Sequence, residues 1–378
     1  MALRVFAATG EASGDMLAAA LAQAMRREHA DIAFTGVGSE RMAAAGFTLT
    51  TRTTGWGAMG PIEALRRIPP LFANCWGYAI ALRRDPVDLV ILVDFGAYNL
   101  RLAKTLRILG YRRPILYVMP PGAWLDNRAQ AQAVARYATA LTAFEHQRDF
   151  YRDLGLPITY FGHPLVTLVA PRARREPAAN DSGTIAILPG SRRGEIERHL
   201  PRLIGALRLV RARRPRAEFL ISAADSDAAR IIDRALHATF LPSFTGAGTG
   251  VRVVRGSREA LDLADAAWVA SGTAVLEATL REVPTVAYYV LAQAQVPLAK
   301  RVWRKRFITL PNLLLDREVV PELVQDAATP QALADALEAL LIAPDEHVRA
   351  LRAVRATLGD AHALDAIAQF ALDLARTA

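Results

Sequence analysis

The stretch DLVILVDFGAYN, residues 88–99, contains the strongest strand pattern in the chain. The residues from 88 to 95 are almost all apolar, which is typical of a parallel strand covered by helices on both faces. A helical pattern over 98–110 follows directly, so the strand passes into a helix through a short turn. The stretch therefore predicts one strand–helix unit of an α/β fold.

Strand and helix patterns alternate in the same way along most of the chain. In the first half, strands are predicted at 3–9, 32–38, 114–119, 139–144 and 158–162, with helices at 14–28, 39–46, 126–138 and 145–154. In the second half, strands are predicted at 184–189, 217–223, 251–254, 266–271 and 284–290, with helices at 195–213, 226–239, 257–264 and 274–282. Residues 329–378 have a mostly helical pattern.

Length and composition divide this alternation into domains. At 378 residues the chain is too long for one ordinary core. Residues 170–183 are polar, contain proline and lack periodicity, which is typical of a linker. We predict two doubly wound, parallel-sheet (Rossmann-like) domains, 1–169 and 184–345, with ligands bound in the cleft between them, off the carboxyl ends of the strands. The helices of 346–378 are expected to pack back on the first domain or on a partner subunit.

Bulk properties restrict the function classes. The net charge of +9 and the pI near 10.1 favour an anionic partner, although arginine used for solubility explains them equally well. No RNA-binding aromatic signature or zinc-finger spacing is present, so no nucleic-acid partner is expected. The single Cys75 excludes a disulfide framework and a thiolate metal cage. Without a signal-peptide pattern or a bilayer-long apolar run, a cytoplasmic protein is predicted.

Two candidate binding loops lie in the first domain. In TGEASGD (9–15), Ser13 or Asp15 would cap the following helix, but the carboxylates of Glu11 and Asp15 together exceed what a cap needs and suit sugar hydroxyls. Gly10 and Gly14 permit a tight backbone there. In VDFGAYN (93–99), Asp94 is a candidate general base, with helix capping as the alternative.

Two more candidate loops lie in the second domain. In PGSRRGE (189–195), the N–H groups of a helix N-terminus, the Ser191 hydroxyl and the Arg192 guanidinium suit a diphosphate, although the segment is not a P-loop. The alternative is a positively charged turn without a ligand. In ASGTAVLEATL (270–280), a strand again enters a helix through small residues. The candidate ligand contacts of these two loops are Gly190, Ser191, Glu195, Ser271, Gly272, Thr273 and Glu277.

Glu277 is the candidate acceptor for ribose hydroxyls, since a carboxylate fills that role well. The alternative interpretation is a Ser/Thr cap at the start of the helix, with Glu277 solvated.

Together these motifs resemble the lipid-A-disaccharide synthase family, glycosyltransferases of the two-domain GT-B type. The resemblance is carried, in order, by GEASGDML, GVGSERMAAAGF, FGHPL, LPGSRRGEIERHLP, ASGTAVLEATL and LPNLLLDREVVPELVQ. It covers essentially the whole chain, and the joint pattern is specific even though each piece is not.

The resemblance implies an activity. Diacylated glucosamine is transferred with inversion from its UDP conjugate to diacylated glucosamine 1-phosphate, which gives a β-1,6 linkage and UDP. A carboxylate would deprotonate the acceptor hydroxyl, and Ser191 and Arg192 would steady the leaving diphosphate without a metal or other cofactor. Ser13, Gly14 and Asn99 would contact substrate in the first domain, and Asn312 would help to hold UDP in the second. A homodimer is also implied.

The chain departs from the family pattern at two places. Where the family has Asp-x-Pro-Asp-Phe-Asn, this chain has DFGAYN, so Asp94 and Asn99 match but Ala97 replaces the second aspartate. Where the family has Ser-Pro-x-x-Trp-Ala-Trp-Arg, this chain has MPPGAWLDNR (119–128), which retains Trp124 but is otherwise altered on the side that would face the acceptor. The base is therefore expected to be Asp94, Glu11 or Asp15, or the acceptor and reaction differ.

Residues 55–85 combine aromatic and apolar side chains with flanking arginines, including Trp76, Arg83 and Arg84. This composition suits contact with an anionic membrane surface, with a core-packing helix pair as the alternative. A peripheral protein at the cytoplasmic face of the inner membrane is predicted. Two other functions stay open: a UDP-sugar-binding protein without catalysis, which Ala97 favours, and a UDP-N-acetylglucosamine 2-epimerase of the same architecture.

Overall fold

The computed structural model describes residues 2–53, 61–122, 126–172, 181–239, 250–303 and 305–377, without the side chains of 61–72, 97, 239, 298 and 302. The chain divides into two compact units. The first comprises Met1–Leu168 together with Leu358–Ala378, and the second comprises Val169–Thr357. Each unit is built on its own parallel sheet, so the predicted α/β class is confirmed.

The sheet of the first unit has seven parallel strands in the order β3-β2-β1-β4-β5-β6-β7. The strands are β1 (Leu3–Ala8), β2 (Ile32–Gly38), β3 (Thr48–Arg52), β4 (Leu89–Val93), β5 (Ile115–Val118), β6 (Thr139–Thr142) and β7 (Thr159–Tyr160). The helices are α1 (Ala12–Glu28), α2 (Glu40–Ala44), α3 (Pro61–Arg84), α4 (Gly96–Ile108), α5 (Arg128–Tyr137), α6 (Glu145–Asp153) and α7 (Leu165–Leu168). The apolar run within residues 88–95 forms β4, whose five residues are all buried.

The sheet of the second unit has six parallel strands in the order β10-β9-β8-β11-β12-β13. The strands are β8 (Ser182–Leu188), β9 (Arg216–Ala223), β10 (Val251–Arg255), β11 (Ala266–Ala270), β12 (Thr285–Tyr289) and β13 (Glu322–Val324). The helices are α8 (Arg193–Arg213), α9 (Ser226–Thr239), α10 (Ser257–Leu263), α11 (Thr273–Leu280), α12 (Val296–Val302), α13 (Leu310–Leu315), α14 (Pro330–Ile342) and α15 (Pro344–Ala356). The indole of Trp268 on β11 is fully buried and donates to the carbonyl of Leu333, which ties α14 to the sheet.

Two of the four edge strands, β3 and β13, were not predicted from the sequence patterns. β3 is a polar strand, TLTTR, with alternating partial exposure, and β13 has three residues. Edge strands of this kind carry no continuous apolar run because only part of their surface is covered.

The last helices divide between the two units, contrary to the expectation for 346–378. α15 packs on α11 and α13, so the second unit extends to Thr357 rather than 345. Only the final helix, α16 (Ala363–Arg376), packs on α1 of the first unit. Because α15 and α16 are both amphipathic, their sequence patterns do not indicate which unit each apolar face covers.

Candidate active site

Each sheet has one point where the strand order reverses, and the four predicted loops lie at these two points. In the first unit β1 and β4 are neighbours, and the loops 9–15 and 93–99 leave their carboxyl ends. In the second unit β8 and β11 are neighbours, and the loops 189–195 and 270–280 leave theirs. Such reversal points open a crevice where doubly wound sheets bind ligands. The topology therefore brings the predicted loops together in pairs, one pair in each unit.

A strained turn places Asp94 at the carboxyl end of β4. Asp94 and Phe95 both take the left-handed backbone conformation, with φ of 49° and 48°. This conformation costs a non-glycine residue roughly 1–2 kcal/mol, and such strain is concentrated at functional sites. Asn99 Nδ2 at 2.8 Å and the Tyr117 hydroxyl at 3.0 Å donate to the Asp94 carbonyl and hold the turn. A Cβ on Gly10 would lie 2.4 Å from the Phe95 ring, so β1 and β4 meet closely here.

Asn99 supports this turn from inside the sheet. Its side chain is fully buried, and Nδ2 also lies 3.2 Å from the carbonyl of Ala8 and 3.1 Å from that of Val93. It therefore joins the ends of β1 and β4. This burial favours a structural role, and the predicted substrate contact of Asn99 stays a prediction.

Asp15 has a structural role that the sequence did not predict. Its carboxylate is 2% exposed and accepts hydrogen bonds from the backbone N–H groups of Ser39 at 2.6 Å and Arg41 at 3.0 Å. It thus caps α2 rather than its own helix, because the folded sheet brings the start of α1 beside the start of α2. Each carboxylate oxygen accepts one N–H, and its burial favours this structural role, whereas a role of Asp15 as the base stays a prediction.

The other residues of the loop 9–15 take different positions. Glu11 is the N-cap residue of α1 and is half-buried, and Ser13 is half-buried in the first turn. Gly14 is buried, and a Cβ there would lie 2.1 Å from Thr9 Oγ1. Gly14 is therefore required by packing, and the predicted substrate contact at Gly14 does not fit. Glu11 and Ser13 remain at the accessible end of β1.

The loop after β8, predicted to bind an anion, turns at Gly190 into the N-terminus of α8. Gly190 has φ of 110°, and a Cβ there would lie 3.0 Å from Glu195 Oε2, so the turn requires glycine. Ser191 is exposed, and Arg192 is the N-cap residue of α8 without a capping hydrogen bond from its side chain. The N-terminus of this 21-residue helix therefore carries partial positive charge toward the loop.

Glu195 orients Arg192. Its carboxylate oxygen Oε1 accepts from Arg192 Nη1 at 3.1 Å and from the Tyr289 hydroxyl at 2.7 Å. Glu195 is 8% exposed, whereas the Arg192 side chain is 38% exposed. The predicted direct substrate contact of Glu195 does not fit this burial, and the guanidinium it holds is the accessible group. Burial raises the pKa of Tyr289, so this hydroxyl stays a proton donor.

The loop after β11 begins a second helix beside the first. Leu188 of β8 pairs with Val269 of β11, so the two loops leave adjacent strand ends. Gly272 is the N-cap residue of α11 and has φ of 149°, and a Cβ there would meet open space. Ser271 donates from its hydroxyl to the carbonyl of Ile308 at 3.3 Å. Thr273 begins the helix and is half-buried.

Glu277 lies one helical turn beyond Thr273 and accepts a hydrogen bond from the Ser257 hydroxyl at 2.6 Å. Ser257 begins α10, after β10, so the carboxylate is held between two helices. Ser257 was not among the residues predicted from the sequence, although a glycine followed by a serine at a strand–helix junction is a usable signal.

Asn312 is a buried support rather than a ligand contact. It is fully buried, its Oδ1 accepts from the N–H groups of Val319 at 2.7 Å and Val320 at 2.8 Å, and its Nδ2 donates to the Val320 carbonyl and to Glu322 Oε1. Glu322 also accepts from the backbone N–H and hydroxyl of Thr309. Because all the polar atoms of this amide have protein partners, the predicted contact of Asn312 with UDP does not fit its burial. Asn312 fixes the turn after α13 instead.

Two predicted features remain: Trp124 and the predicted membrane-contact region 55–85. Trp124 lies outside the described residues. Residues 61–84 form one helix, α3, rather than the helix pair considered above. On α3, Cys75 and Ala79 are buried, whereas Trp76 and Ile80 are 43% and 41% exposed. Among the described residues, every helix is too short or too polar to cross a membrane.

Comparison with known sequences identifies the family. A family model described as lipid-A-disaccharide synthetase matches residues 5–363. A lipid-A-disaccharide synthase from Myxococcus xanthus is 36% identical over 382 aligned residues, which cover 98% of this chain and 97% of the relative. The chain belongs to the lipid-A-disaccharide synthase family. Membership indicates a glycosyltransferase of lipid A biosynthesis, as the motifs predicted.

Solved structures with the same fold include members of other families. A UDP-GlcNAc 2-epimerase from Neisseria meningitidis bound to UDP-GlcNAc matches with a TM-score of 0.64 at 10% identity, covering 99% of this chain and all of that one. The calicheamicin glycosyltransferase CalG4 matches with a TM-score of 0.56 at 15% identity over the full length of both chains. These likenesses show the GT-B-like fold alone. The sequence match is to the lipid-A-disaccharide synthase family, and the shared fold does not distinguish a glycosyltransferase from an epimerase.

Proposed function

We propose that this family member transfers 2,3-diacylglucosamine from its UDP conjugate to 2,3-diacylglucosamine 1-phosphate, with inversion, and releases UDP. The observation that carries the proposal is the pair of helix N-termini at the reversal point of the second sheet. α8 and α11 begin on adjacent strand ends, their N-cap residues provide no side-chain cap, and Arg192 lies at the first of them. Such an arrangement suits a diphosphate.

The chemical step needs one base and one stabilised leaving group. A carboxylate takes the proton of the acceptor 6-hydroxyl as that oxygen attacks the anomeric carbon of the donor. The bond from the anomeric carbon to the diphosphate oxygen breaks, and its electron pair leaves with UDP. Arg192 and the two helix N-termini stabilise the charge that develops on the diphosphate, so the proposal includes no metal.

We place the base at Asp94. It follows β4 directly and is held by a strained, hydrogen-bonded turn, whereas the Asp15 carboxylate is occupied by α2. Glu11, at the neighbouring end of β1, is the second candidate. On the donor side, Ser191, Ser271, Gly272 and Thr273 contact the diphosphate and Glu277 accepts from the ribose. On the acceptor side, Ser13 and Trp124 contact the sugar.

We also propose that the protein acts as a peripheral protein at the cytoplasmic face of the inner membrane, and, from the family resemblance, as a homodimer. The exposed side chains of Trp76 and Ile80 on α3, followed by the exposed Arg83 and Arg84, support contact with anionic lipid. Acylated substrates would be presented at such a surface.

The test is UDP release from purified protein given the UDP-sugar, with and without the acceptor phosphate. Asp94→Asn and Glu11→Gln are compared with Glu40→Gln, an exposed carboxyl on α2. Acceptor-dependent release that falls at least about 100-fold in Asp94→Asn alone supports the proposed base. Loss in Glu11→Gln alone moves the base to β1.

A second candidate function is a UDP-sugar-binding protein without catalysis, favoured by Ala97 in place of the family's second aspartate. UDP binding without release by the wild type, with every acceptor tested, would establish it. A chelator separates the role of metals: with excess EDTA we expect unchanged UDP release, and a loss restored by added Mg²⁺ would contradict the metal-free step.

A further inference from the structure

His199 is a buried group beside the proposed diphosphate loop to which the proposed function gives no role. It lies on α8, two turns beyond Arg192, and is fully buried. Its ring packs edge-on against the rings of Tyr288 and Tyr289, with centroid distances of 5.1 and 5.5 Å. The imidazole is thus enclosed by β12 and is not placed to touch a ligand.

Two backbone hydrogen bonds determine the state of this imidazole. Nδ1 lies 2.8 Å from the carbonyl oxygen of Pro189, and the N–H of Val290 donates to Nε2 at 3.1 Å. A carbonyl can only accept and an amide N–H can only donate, so the ring is neutral and carries its proton on Nδ1. Burial lowers the pKa of His199, which favours the same neutral form.

The two hydrogen bonds of His199 connect the loop after β8 to the segment after β12. Pro189 follows β8 and Val290 follows β12, and these strands are separated in the sheet by β11. The link through His199 therefore crosses the end of β11, where Ser271 and Gly272 lead into α11. Arg198 Nε donates to the Val290 carbonyl at 3.2 Å, so α8 holds the same residue twice.

We propose that His199 is the positioning residue that holds the diphosphate loop (189–195) to the end of β12, across the end of β11 from which α11 begins. It holds the Pro189 carbonyl, one residue before the glycine turn that leads to Ser191 and Arg192. An anion then meets both helix N-termini already in place, without a cost for ordering the loop. The inference rests on the proposed function, because it presumes that the anion is the diphosphate of UDP.

The charged and titratable groups facing His199 are consistent with this role. Glu195 and Arg198 lie on α8, and Tyr288 and Tyr289 lie on β12. The Tyr289 hydroxyl donates to Glu195, which holds Arg192, so the enclosure of His199 also supports the guanidinium. A protonated imidazole would turn Nε2 into a donor facing the Val290 N–H and would open the link.

The test compares two buried histidines of the second unit. His199→Phe keeps the ring and removes both hydrogen bonds, and His199→Gln restores a donor and an acceptor. The matched control is His347→Phe, because buried His347 accepts the N–H of Thr285 at the opposite end of β12, at 3.2 Å. UDP affinity is measured by calorimetry, and stability by urea unfolding.

We expect His199→Phe to weaken UDP binding at least tenfold, His199→Gln to regain part of it, and His347→Phe to lose stability with less than a twofold change in affinity. In the wild type, the ¹⁵N signals of His199 should show the Nδ1-protonated tautomer. Equal affinity losses in His199→Phe and His347→Phe, or an Nε2-protonated ring, would overturn the inference alone. A wild type that does not bind UDP would overturn the proposed nucleotide site and the inference with it.

Discussion

Single residues in this chain show how a side chain suited to catalysis is used for structure. Asp15 and Asn312 both belong to motifs that resemble a sugar-nucleotide site, yet each has its polar atoms occupied by backbone or side-chain partners. A buried polar group must be hydrogen-bonded, so these contacts are costly to remove. By contrast, Asp94 and Arg192 lie at partly exposed strand ends. Substitutions of the buried residues are therefore expected to affect stability, whereas substitutions of the partly exposed residues are expected to affect activity.

Replacing Asp15 with alanine should destabilise the fold more than it changes the chemistry. The N–H groups of Ser39 and Arg41 would lose their acceptor, which costs about 2–3 kcal/mol of unfolding free energy. Urea unfolding measures this loss, and the control is Glu40→Ala on α2, the helix that Asp15 caps, with an expected loss under about 0.5 kcal/mol. Unchanged stability together with abolished UDP release would make Asp15 a catalytic residue after all.

Asn312→Asp is nearly isosteric and should still be strongly destabilising. A carboxylate oxygen would replace the amide nitrogen 2.7 Å from Glu322 Oε1 and 2.8 Å from the Val320 carbonyl. Like charge at that distance in a buried site costs at least about 3 kcal/mol. The control is Asn127→Asp, since Asn127 caps α5 through its side-chain oxygen and aspartate caps equally well. Similar urea midpoints for the two variants would show that Asn312 is not a buried support.

At the scale of elements, helices in this chain have two roles: some begin at the crevice of a sheet, and one completes a core. α8 and α11 begin at the reversal point of the second sheet and present their N-termini to one crevice. α16, from the end of the chain, completes the first unit by covering α1 with Leu364, Ile367 and neighbouring apolar residues. The final helix is therefore part of the first unit's core.

Ile367→Asp should unfold the first unit selectively. An aspartate there would bury an unpaired charge between α16 and α1, which costs several kcal/mol. Hydrogen exchange should show lost protection in peptides from α1 and β1, with protection retained in β8 and β11. Asp365→Asn is the control, because it removes only the exposed ion pair with Arg27. Equal loss of protection in both units would mean that they unfold as one.

At the scale of the molecule, two units with separate cores each contain buried neutral histidines. Burial lowers the pKa of His163 in the first unit to about 3 and that of His347 in the second to about 4. The N–H of Leu165 donates to His163 Nδ1, and that of Thr285 donates to His347 Nε2, so each ring is needed as an acceptor. Both units are therefore expected to lose stability in acid.

The sign of this pH dependence of stability follows from the number of protons that the folded and unfolded chains bind. Below the unfolded-state pKa near 6.5, the unfolded chain binds protons that the folded chain does not, so the free energy of unfolding falls as the pH falls toward the folded-state values. Between pH 7 and 5 the loss is about 2 kcal/mol for each histidine. His347→Gln keeps an acceptor for Thr285 without titrating, so hydrogen exchange of β11 and β12 peptides should show a smaller pH effect, and β4 peptides an unchanged one. An identical pH effect in wild type and variant would exclude His347 as a cause.

The sequence by itself determined the strand–helix alternation, the two parallel sheets and the positions of the four candidate loops at the ends of strands. Continuous apolar runs and glycine-rich turns are local signals, because they follow from the burial of a strand and the conformation of a turn. Only the tertiary structure decided which polar residues of the motifs are buried and hydrogen-bonded to other parts of the protein. Asp15 meets α2, Asn312 meets Glu322, and α16 rather than α15 joins the first unit. These pairings join residues far apart in the chain, and a hydrogen-bond partner at that distance leaves no periodicity in the sequence.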